Sequence, residues 1–298
     1  MKLVVAGGTG YVGHQLVTRA AEEGYDILML VRKPAEALRR FATQVDYSAL
    51  ANRRIEADAL INLAGLAHVR GADLEFDAAN RGLPLELAGH AIDGGVRRFV
   101  HVSTLGVYGN WSLEPISEEG RPKPETSYAR SKLDGDRALV YRFRARPDAL
   151  TIVRPPMVYG PRCPGNFSRL QRLVMRGWPL PFGAARALRS FMFVDNLVDF
   201  LLRCAASDNA GDLYVIGDGS DYSVAELVAA MAAAGGVRLT NLPIPPALLR
   251  AFARLAGFRR DMDSLTRPML VDWTRARESL KWSPPVDADE AMSRALAA

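Results

Sequence analysis

A glycine-rich run near the amino terminus constrains the fold more than any other feature of this sequence. Residues 7–13 read GGTGYVG, which satisfies both G-x-G-x-x-G and G-x-x-G-x-x-G. An apolar run at 2–6 precedes it, and a segment with helical spacing and a second apolar run at 26–31 follow it. Strand, glycine turn, helix and strand predict a βαβ unit and therefore a parallel sheet. Because such glycines let a backbone approach a pyrophosphate at a helix N-terminus, the run predicts dinucleotide binding, with a purely structural turn as the alternative.

Apolar runs continue to alternate with helical patterns along the rest of the chain. We predict further strands at 59–63, 98–102, 150–153 and 212–216, and long helices at 74–92 and 125–144. This alternation predicts an α/β fold: a doubly wound parallel sheet of the Rossmann type with a smaller, mostly helical C-terminal substrate lobe.

The change of pattern after residue 157 divides the chain. We expect residues 1–157 and 190–216 to form the dinucleotide-binding domain. Residues 158–189, rich in Pro, Gly and Arg, and residues 217–298 are expected to form the substrate-binding lobe.

The composition excludes several classes of protein. With 49% hydrophobic and 24% charged residues among 298, the chain is neither disordered nor a small disulfide scaffold. Two cysteines favour a reducing compartment, and the four histidines lack close ligand spacing, so no metal is expected. The net charge of +5 is spread without a basic block, and no apolar run is long enough to cross a membrane. We expect a cytoplasmic protein that binds neither nucleic acid nor a membrane.

The end of the second predicted strand indicates which dinucleotide is bound. Sites for NAD usually place Asp or Glu about 20 residues after the glycines, to bind the ribose 2′-hydroxyl. Here Val31 is followed by Arg32 and Lys33. Two cations suit a 2′-phosphate, so we predict that NADP(H) is preferred and NAD(H) is the other option. The alternative is a pair of solvated surface charges.

Tyr128 and Lys132 form the strongest catalytic candidate. Their spacing places them on one face of the helix predicted at 125–144. We expect the ammonium, together with a nicotinamide charge, to lower the pKa of the phenol toward neutrality and make it an acid or base. The alternative is a stacked surface pair on an amphipathic helix.

Four motifs in this order resemble the extended short-chain dehydrogenase/reductases of the NAD-dependent epimerase/dehydratase family. They are GGTGYVG, S-T-x-x-V-Y-G at 103–109, Y-x-x-x-K at 128–132 and R-P-x-x-V-Y-G-P at 154–161. The resemblance covers essentially the full length. It implies that Thr104 binds the reacting sugar oxygen, Tyr128 is the acid or base, and Lys132 binds the nicotinamide ribose and tunes the tyrosine.

The same resemblance implies two further sets of contacts. Substrate contacts are expected at Thr104 and Tyr128, and at Asn166 and Arg189 for the diphosphate of a nucleotide sugar. Cofactor contacts are expected at Gly7, Gly10, Tyr11, Val12, Gly13, Arg32, Lys33, Asp46, Tyr47, Leu63, Ala64, Gly65, Asn80, Lys132 and Pro155.

Departures from the family pattern narrow the reaction. Leu105 and Gly106 follow Thr104 where 4,6-dehydratases of the family carry an acid, and Val31 stands where many 4-epimerases have Asp. Runs at 166–170, 177–183 and 189–199 are similar to bacterial surface-polysaccharide enzymes that reduce UDP-4-keto-6-deoxy-N-acetylhexosamines.

The resemblance therefore implies NADPH-dependent reduction of a nucleotide-linked 4-keto sugar, with UDP as the expected nucleotide. Two alternatives stay open: a nucleotide-sugar 4-epimerase with retained cofactor, and a nonenzymatic NADP(H)-sensing regulator. The set Thr104, Tyr128 and Lys132 disfavours the regulator, which needs no proton donor. Relatives often dimerise through the helices predicted here at 74–92 and 125–144, so a homodimer is also left open.

Overall fold

A parallel sheet forms the centre of the protein. The computed structural model describes residues 1–52, 54–67, 73–255 and 259–297. Within them the seven strands of this sheet are β1 (Lys2–Ala6), β2 (Asp26–Val31), β3 (Thr43–Asp46), β4 (Ala59–Asn62), β5 (Arg98–Val102), β6 (Leu150–Arg154) and, after two strands of the lobe, β9 (Leu213–Val215). Their order is β3-β2-β1-β4-β5-β6-β9, and every pairing is parallel. From β1 the strands continue through β2 to β3 on one side of the sheet, and from β4 they continue through β5 and β6 to β9 on the other. This order confirms the predicted doubly wound sheet of the Rossmann type.

Helices cover both faces of this sheet. On one face lie α1 (Tyr11–Glu22) and α6 (Val194–Ala206). On the other lie α3 (Leu83–Asp93) and α4 (Ser127–Arg142), preceded by the short α2 (Asp73–Asp77). Alternate strand residues enter the two cores: Leu3 and Val5 face α1, whereas Val4 and Ala6 face α3. The apolar runs of the sequence are therefore strands buried on both faces.

A second, smaller core surrounds a three-stranded sheet. Its strands are β7 (Met157–Tyr159), β8 (Arg189–Phe193) and β10 (Asp221–Tyr222), in the order β10-β8-β7. Helices of this region are α5 (Asn166–Met175), α7 (Val224–Ala234), α8 (Pro246–Leu255), α9 (Arg259–Thr266) and α11 (Ala288–Leu296). Helix α10 (Thr274–Ser279) instead packs near β9. Tyr159, Phe167 and Phe191 pack together at the centre of the small core.

The structure differs from the sequence predictions at several elements. The helix predicted at 74–92 is interrupted by a π-helical turn, Ala78–Gly82, in which Asn80 is buried. Strands β3, β7 and β10 were not predicted, because each has only two to four residues and none belongs to a continuous apolar run such as that of β1. No helix of the described ranges is long and apolar enough to span a bilayer.

Candidate active site

A cleft of about 660 Å³ opens at the carboxyl ends of the parallel strands. Ligands of open α/β sheets bind at this edge, where the strand order reverses. The cleft brings together most of the residues predicted from the sequence. Those that line it are Gly7, Gly10, Tyr11, Val12, Gly13, Leu63, Gly65, Thr104, Tyr128, Lys132, Pro155, Asn166 and Arg189.

The glycine turn forms one wall of the cleft, and its conformation requires residues without a side chain. A Cβ on Gly13 would lie 2.2 Å from the Gly7 carbonyl oxygen, and Gly7 itself has φ of +84°. Gly10 is the N-cap of α1 and offers no side chain to the first amides of the helix. These amides lack intrahelical partners, so the turn presents a helix N-terminus suited to phosphate oxygens.

Beside this turn, the residues predicted for the adenosine half lie outside the lining of the cleft. Arg32 and Lys33 are exposed directly after β2. The Tyr47 hydroxyl interacts with the Gly7 amide. Burial raises the pKa of Tyr47, and both the Gly7 contact and the Arg32 charge lower it. The carboxylate of Asp46 instead accepts hydrogen bonds from the Ser48 amide and hydroxyl, at 2.8 and 2.6 Å. The adenine contacts therefore stay predictions.

Asn80 fixes the loop after β4 and does not line the cleft. Its side-chain oxygen accepts a hydrogen bond from the Leu66 amide, and its Nδ2 donates to the Leu66 carbonyl and to Ser131 Oγ. A Cβ on Gly65 would lie 2.7 Å from Asn80 Oδ1 and 3.1 Å from Lys132 Nζ. Ala64 also lies outside the lining, and its amide binds the side chain of Asn62. Asn80 thus holds Gly65 close to Lys132.

The candidate catalytic side chains come from two adjacent elements. Thr104 follows β5 and caps a short 3-10 turn, its hydroxyl accepting a bond from the Gly106 amide at 3.1 Å. Tyr128 is the second residue of α4, whose first turn is capped by Thr126. Lys132 lies one turn further along, and its Nζ donates to the Val102 carbonyl at 2.9 Å. All three predicted catalytic residues therefore meet in the cleft.

Burial dominates the electrostatics of this group. It raises the pKa of Tyr128 to about 12, and the Thr104 hydroxyl opposes the shift. Burial also lowers the pKa of Lys132 to about 8, an effect that Asp136 opposes. In the protein alone the ammonium is directed to a backbone carbonyl, and burial of the phenol is the largest effect on its pKa. The lowering expected from Lys132 together with a nicotinamide charge stays a prediction.

A half-buried cation also lines the cleft. Arg189, at the start of β8, donates through Nη1 to the carbonyls of Asn110 and Arg267, both at 3.0 Å, and its Nη2 lies 3.2 Å from Met269 Sδ. Burial lowers its pKa to about 10. These contacts are neutral, and within the described part of the chain no carboxylate pairs with the guanidinium, so its charge is available to an anionic ligand.

Part of the site around Arg189 was not predicted from the sequence. Residues 267–272 cross between β8 and the loop after β5: the Met269 carbonyl accepts from the Ser190 amide, and the Leu270 carbonyl accepts from the Ile116 amide. Met269 and Asn110 consequently line the cleft. Both come from segments without a periodic pattern, and the only available indication was the proximity of Asn110 to the S-T-x-x-V-Y-G motif.

Comparison with known proteins identifies the class. The family model described as "NAD dependent epimerase/dehydratase family" matches residues 3–217, and the chain belongs to this family. It is therefore an enzyme of the extended short-chain dehydrogenase/reductase type.

Individual relatives and solved structures can also be compared. The chain is 31% identical to a UDP-glucose 4-epimerase of Vibrio cholerae, over 97% of this chain and 92% of the relative. It is 29% identical to a UDP-glucose 4-epimerase of Mycolicibacterium smegmatis, over 99% and 97%. The structure of UDP-glucuronic acid 4-epimerase from Bacillus cereus in complex with NAD superposes with a TM-score of 0.79 at 18% identity, covering 99% of this chain and 97% of that one. At that identity the superposition supports the fold alone.

Proposed function

We propose that this enzyme moves hydride at C4 of a UDP-linked sugar, using a bound nicotinamide dinucleotide. One observation carries the proposal. A single cleft joins a glycine turn suited to phosphate, the side chains of Thr104, Tyr128 and Lys132, and the half-buried cation Arg189. This arrangement matches a dinucleotide at one end, a proton-transfer group in the middle and an anionic substrate at the other end.

Tyr128 is the proton carrier in this proposal. Because its pKa of about 12 keeps the phenol protonated at neutral pH, it can donate a proton to an alkoxide forming at C4. Thr104 orients the same oxygen, and Lys132 places a positive charge near the tyrosinate that results. When bound, the cofactor supplies or accepts the hydride. Acid catalysis of this kind contributes about 10²–10⁴-fold.

Epimerisation at C4 is the first candidate. Two relatives that align over nearly the whole chain are UDP-glucose 4-epimerases. In an epimerase the oxidation of C4 passes its hydride to the cofactor and its hydroxyl proton to the tyrosinate form of Tyr128, which Lys132 and a bound nicotinium charge would favour. Hydride and proton then return, the hydride to the opposite face of the ketone, so no cofactor is consumed. Dehydration is disfavoured because Leu105 and Gly106, which line the cleft beside Thr104, carry no acid.

Net reduction of a 4-keto sugar is the second candidate. No carboxylate stands at Val31, and the exposed cations Arg32 and Lys33 follow it directly. This arrangement favours a 2′-phosphate and hence NADPH, which reductases consume stoichiometrically. The runs at 166–170, 177–183 and 189–199, which resemble those of 4-ketoreductases in sequence, favour the same candidate.

Three further predictions from the sequence are also part of the proposal. They are the division into a cofactor domain (1–157, 190–216) and a substrate lobe (158–189, 217–298), a homodimer through α3 and α4, and a cytoplasmic location. The regulator alternative has less support, because the chain belongs to an enzyme family and retains the candidate proton donor Tyr128 in the cleft.

Two assays on the purified enzyme decide between the candidates. In the first, UDP-glucose and UDP-N-acetylglucosamine are incubated without added cofactor, and the epimers are separated by chromatography. In the second, UDP-4-keto-6-deoxy-N-acetylglucosamine is mixed with NADPH, and absorbance at about 340 nm is followed. Interconversion of C4 epimers supports epimerisation, and loss of one NADPH per sugar supports reduction. Inactivity in both assays, and with GDP and dTDP counterparts, would refute the proposed substrate class.

A further inference from the structure

A buried carboxylate lies behind the Tyr128–Lys132 pair. Asp136 is one helical turn beyond Lys132 on α4, and only 2% of its surface is exposed. Burying a carboxylate is unfavourable unless charge and hydrogen bonds compensate it. Asp136 lies buried on the inner face of α4. We therefore expect its carboxylate to have a specific role inside the protein.

The partners of Asp136 come from the last residue of β6 and from the residue that follows β5. Its Oδ2 accepts hydrogen bonds from Ser103 Oγ at 2.9 Å and from Arg154 Nε and Nη2 at 3.0 and 2.8 Å. Arg154 also donates through Nη1 to the Tyr108 hydroxyl at 2.7 Å. Ser103 immediately precedes Thr104, so the carboxylate ties α4 to the segment that carries another candidate catalytic residue.

The second carboxylate oxygen is less constrained. Oδ1 has no hydrogen-bond partner among the described residues, and His101 Nε2 lies 3.7 Å away, too far for a hydrogen bond. His101 is fully buried, its Nδ1 is 3.0 Å from Asn62 Nδ2, and burial lowers its pKa well below the usual range, so it is neutral. Part of the negative charge of Asp136 therefore stays available to Lys132.

Among the described residues, the titratable groups around Lys132 are Tyr128 and Asp136 on α4, His101 on β5 and Arg154 on β6, and the Asn80 amide lies near its Nζ. Burial lowers the pKa of Lys132, and Asp136 raises it. Burial also raises the pKa of Asp136, and its ion pair with Arg154 and its bond from Ser103 oppose that shift. The ion-paired carboxylate of Asp136 is therefore the acidic group that opposes the effect of burial on Lys132.

We propose that Asp136 is a positioning residue for the reaction, keeping the Lys132 ammonium charged and in place through the buried array with Ser103 and Arg154. The inference rests on the proposed function, because it assigns Lys132 to the same reaction. Asp136 itself does not line the cleft. It acts on the reacting atoms only through Lys132.

The titration of Lys132 tests the proposal without any turnover. The chain contains five lysines, so the Cε resonances of protein labelled with ¹³C-lysine are resolvable, and Lys132→Met assigns the one of interest. We expect Lys132 to titrate near pH 8 in the wild type and at least one pH unit lower in Asp136→Asn. Asp136→Glu should restore most of the shift.

Two further variants distinguish an electrostatic role of Asp136 from a structural one. Asp134→Asn removes an exposed carboxylate two residues away, paired with Arg137 at 3.7 Å, and should leave the Lys132 titration unchanged. Arg154→Met removes a nearby cation and keeps the Asp136 carboxylate, so the Lys132 midpoint should not fall. A purely structural role of the array predicts a rise in Asp136→Asn as well, because loosened packing would let water reach Lys132 and relieve the burial that lowers its pKa. If Asp136→Asn does not fold, Asp136→Asn combined with Arg154→Met is compared with Arg154→Met alone, and its midpoint should be the lower of the two.

The pH profile connects the titration to catalysis. In Asp136→Asn the alkaline limb of kcat/KM should move to lower pH by the same amount as the Lys132 midpoint. An unchanged Lys132 midpoint in Asp136→Asn would overturn the inference. A wild type that titrates as expected but turns over no UDP-sugar would refute the proposed function and leave the assignment of Asp136 to Lys132 intact.

Discussion

Lys132 donates a hydrogen bond of 2.9 Å from its Nζ to the carbonyl oxygen of Val102, the last residue of β5. This bond connects α4 to the strand end that leads into Thr104 two residues later. The helix therefore cannot rotate or slide without moving Lys132 away from the strand. Tyr128, one turn earlier on α4, is held in the cleft by the same constraint, which is the fixed geometry that general acid catalysis needs.

Tyr128→Phe should abolish most turnover and preserve cofactor binding. The substitution keeps the ring, which packs 6.4 Å from that of Phe76, but removes the only phenol proton at the position. We expect kcat to fall about 10²–10⁴-fold. Steady-state kinetics and cofactor titration check both statements. Tyr141→Phe, on the exposed face of the same helix, is the matched control. If Tyr128→Phe keeps more than about a tenth of the rate, another group is the principal acid.

Replacing Arg32 and Lys33 together with Ala should erase a preference for NADP(H). Both side chains are exposed beside the end of β2, where a 2′-phosphate would lie. We expect the wild type to bind NADPH at least about tenfold more tightly than NADH, or about 1.4 kcal/mol, measured by fluorescence titration. Replacing Arg39 and Arg40 removes the same charge from exposed positions nearby and should preserve the difference. Equal affinities in the wild type would contradict the assignment.

The sequence predicted the parallel sheet and the catalytic group because both depend on local patterns. Buried strands such as β1 are continuous apolar runs, and Tyr128 and Lys132 lie on one helix at fixed spacing. A residue that follows a strand lies at the carboxyl edge of the sheet, which is why Thr104 could be placed correctly.

The rest of the site depends on contacts between distant segments. Arg189 meets Asn110 and Arg267, which are 79 and 78 residues away, and no local pattern encodes that meeting. The surroundings of Tyr128 could not be predicted for a related reason. Spacing shows that Lys132 is near, but only the structure shows that Val102 binds its ammonium and that burial of the phenol has the larger effect.

Arg189→Ala should weaken binding of UDP. The half-buried guanidinium lines the cleft, and its contacts described above are with neutral groups, so a diphosphate would gain a charge-assisted bond there. We expect a loss of about 1.5–3 kcal/mol, which is measurable by calorimetric titration of UDP. Arg186→Ala, at an exposed position outside the lining of the cleft, is the control. If the affinity for UDP is unchanged while the variant melts at a lower temperature, Arg189 serves only to join residues 267–272 to the loop after β5.

Lys132→Met should inactivate the enzyme and yet stabilise the protein in the absence of cofactor. In the folded chain the pKa of Lys132 is about 8, compared with 10.5 for an unburied lysine, so the folded state disfavours the charged form. The resulting cost is fully present below about pH 8 and disappears as pH rises toward 10.5, because the folded state releases its proton first. After allowance for the lost bond to Val102, we expect a gain of about 1–2 kcal/mol at pH 7 that shrinks toward pH 10. Urea unfolding at several pH values measures it, and Lys123→Met, at an exposed position, should show no such trend. A stability difference that is independent of pH, or a less stable Lys132→Met at pH 7, would show that burial of the ammonium is not the cost inferred here.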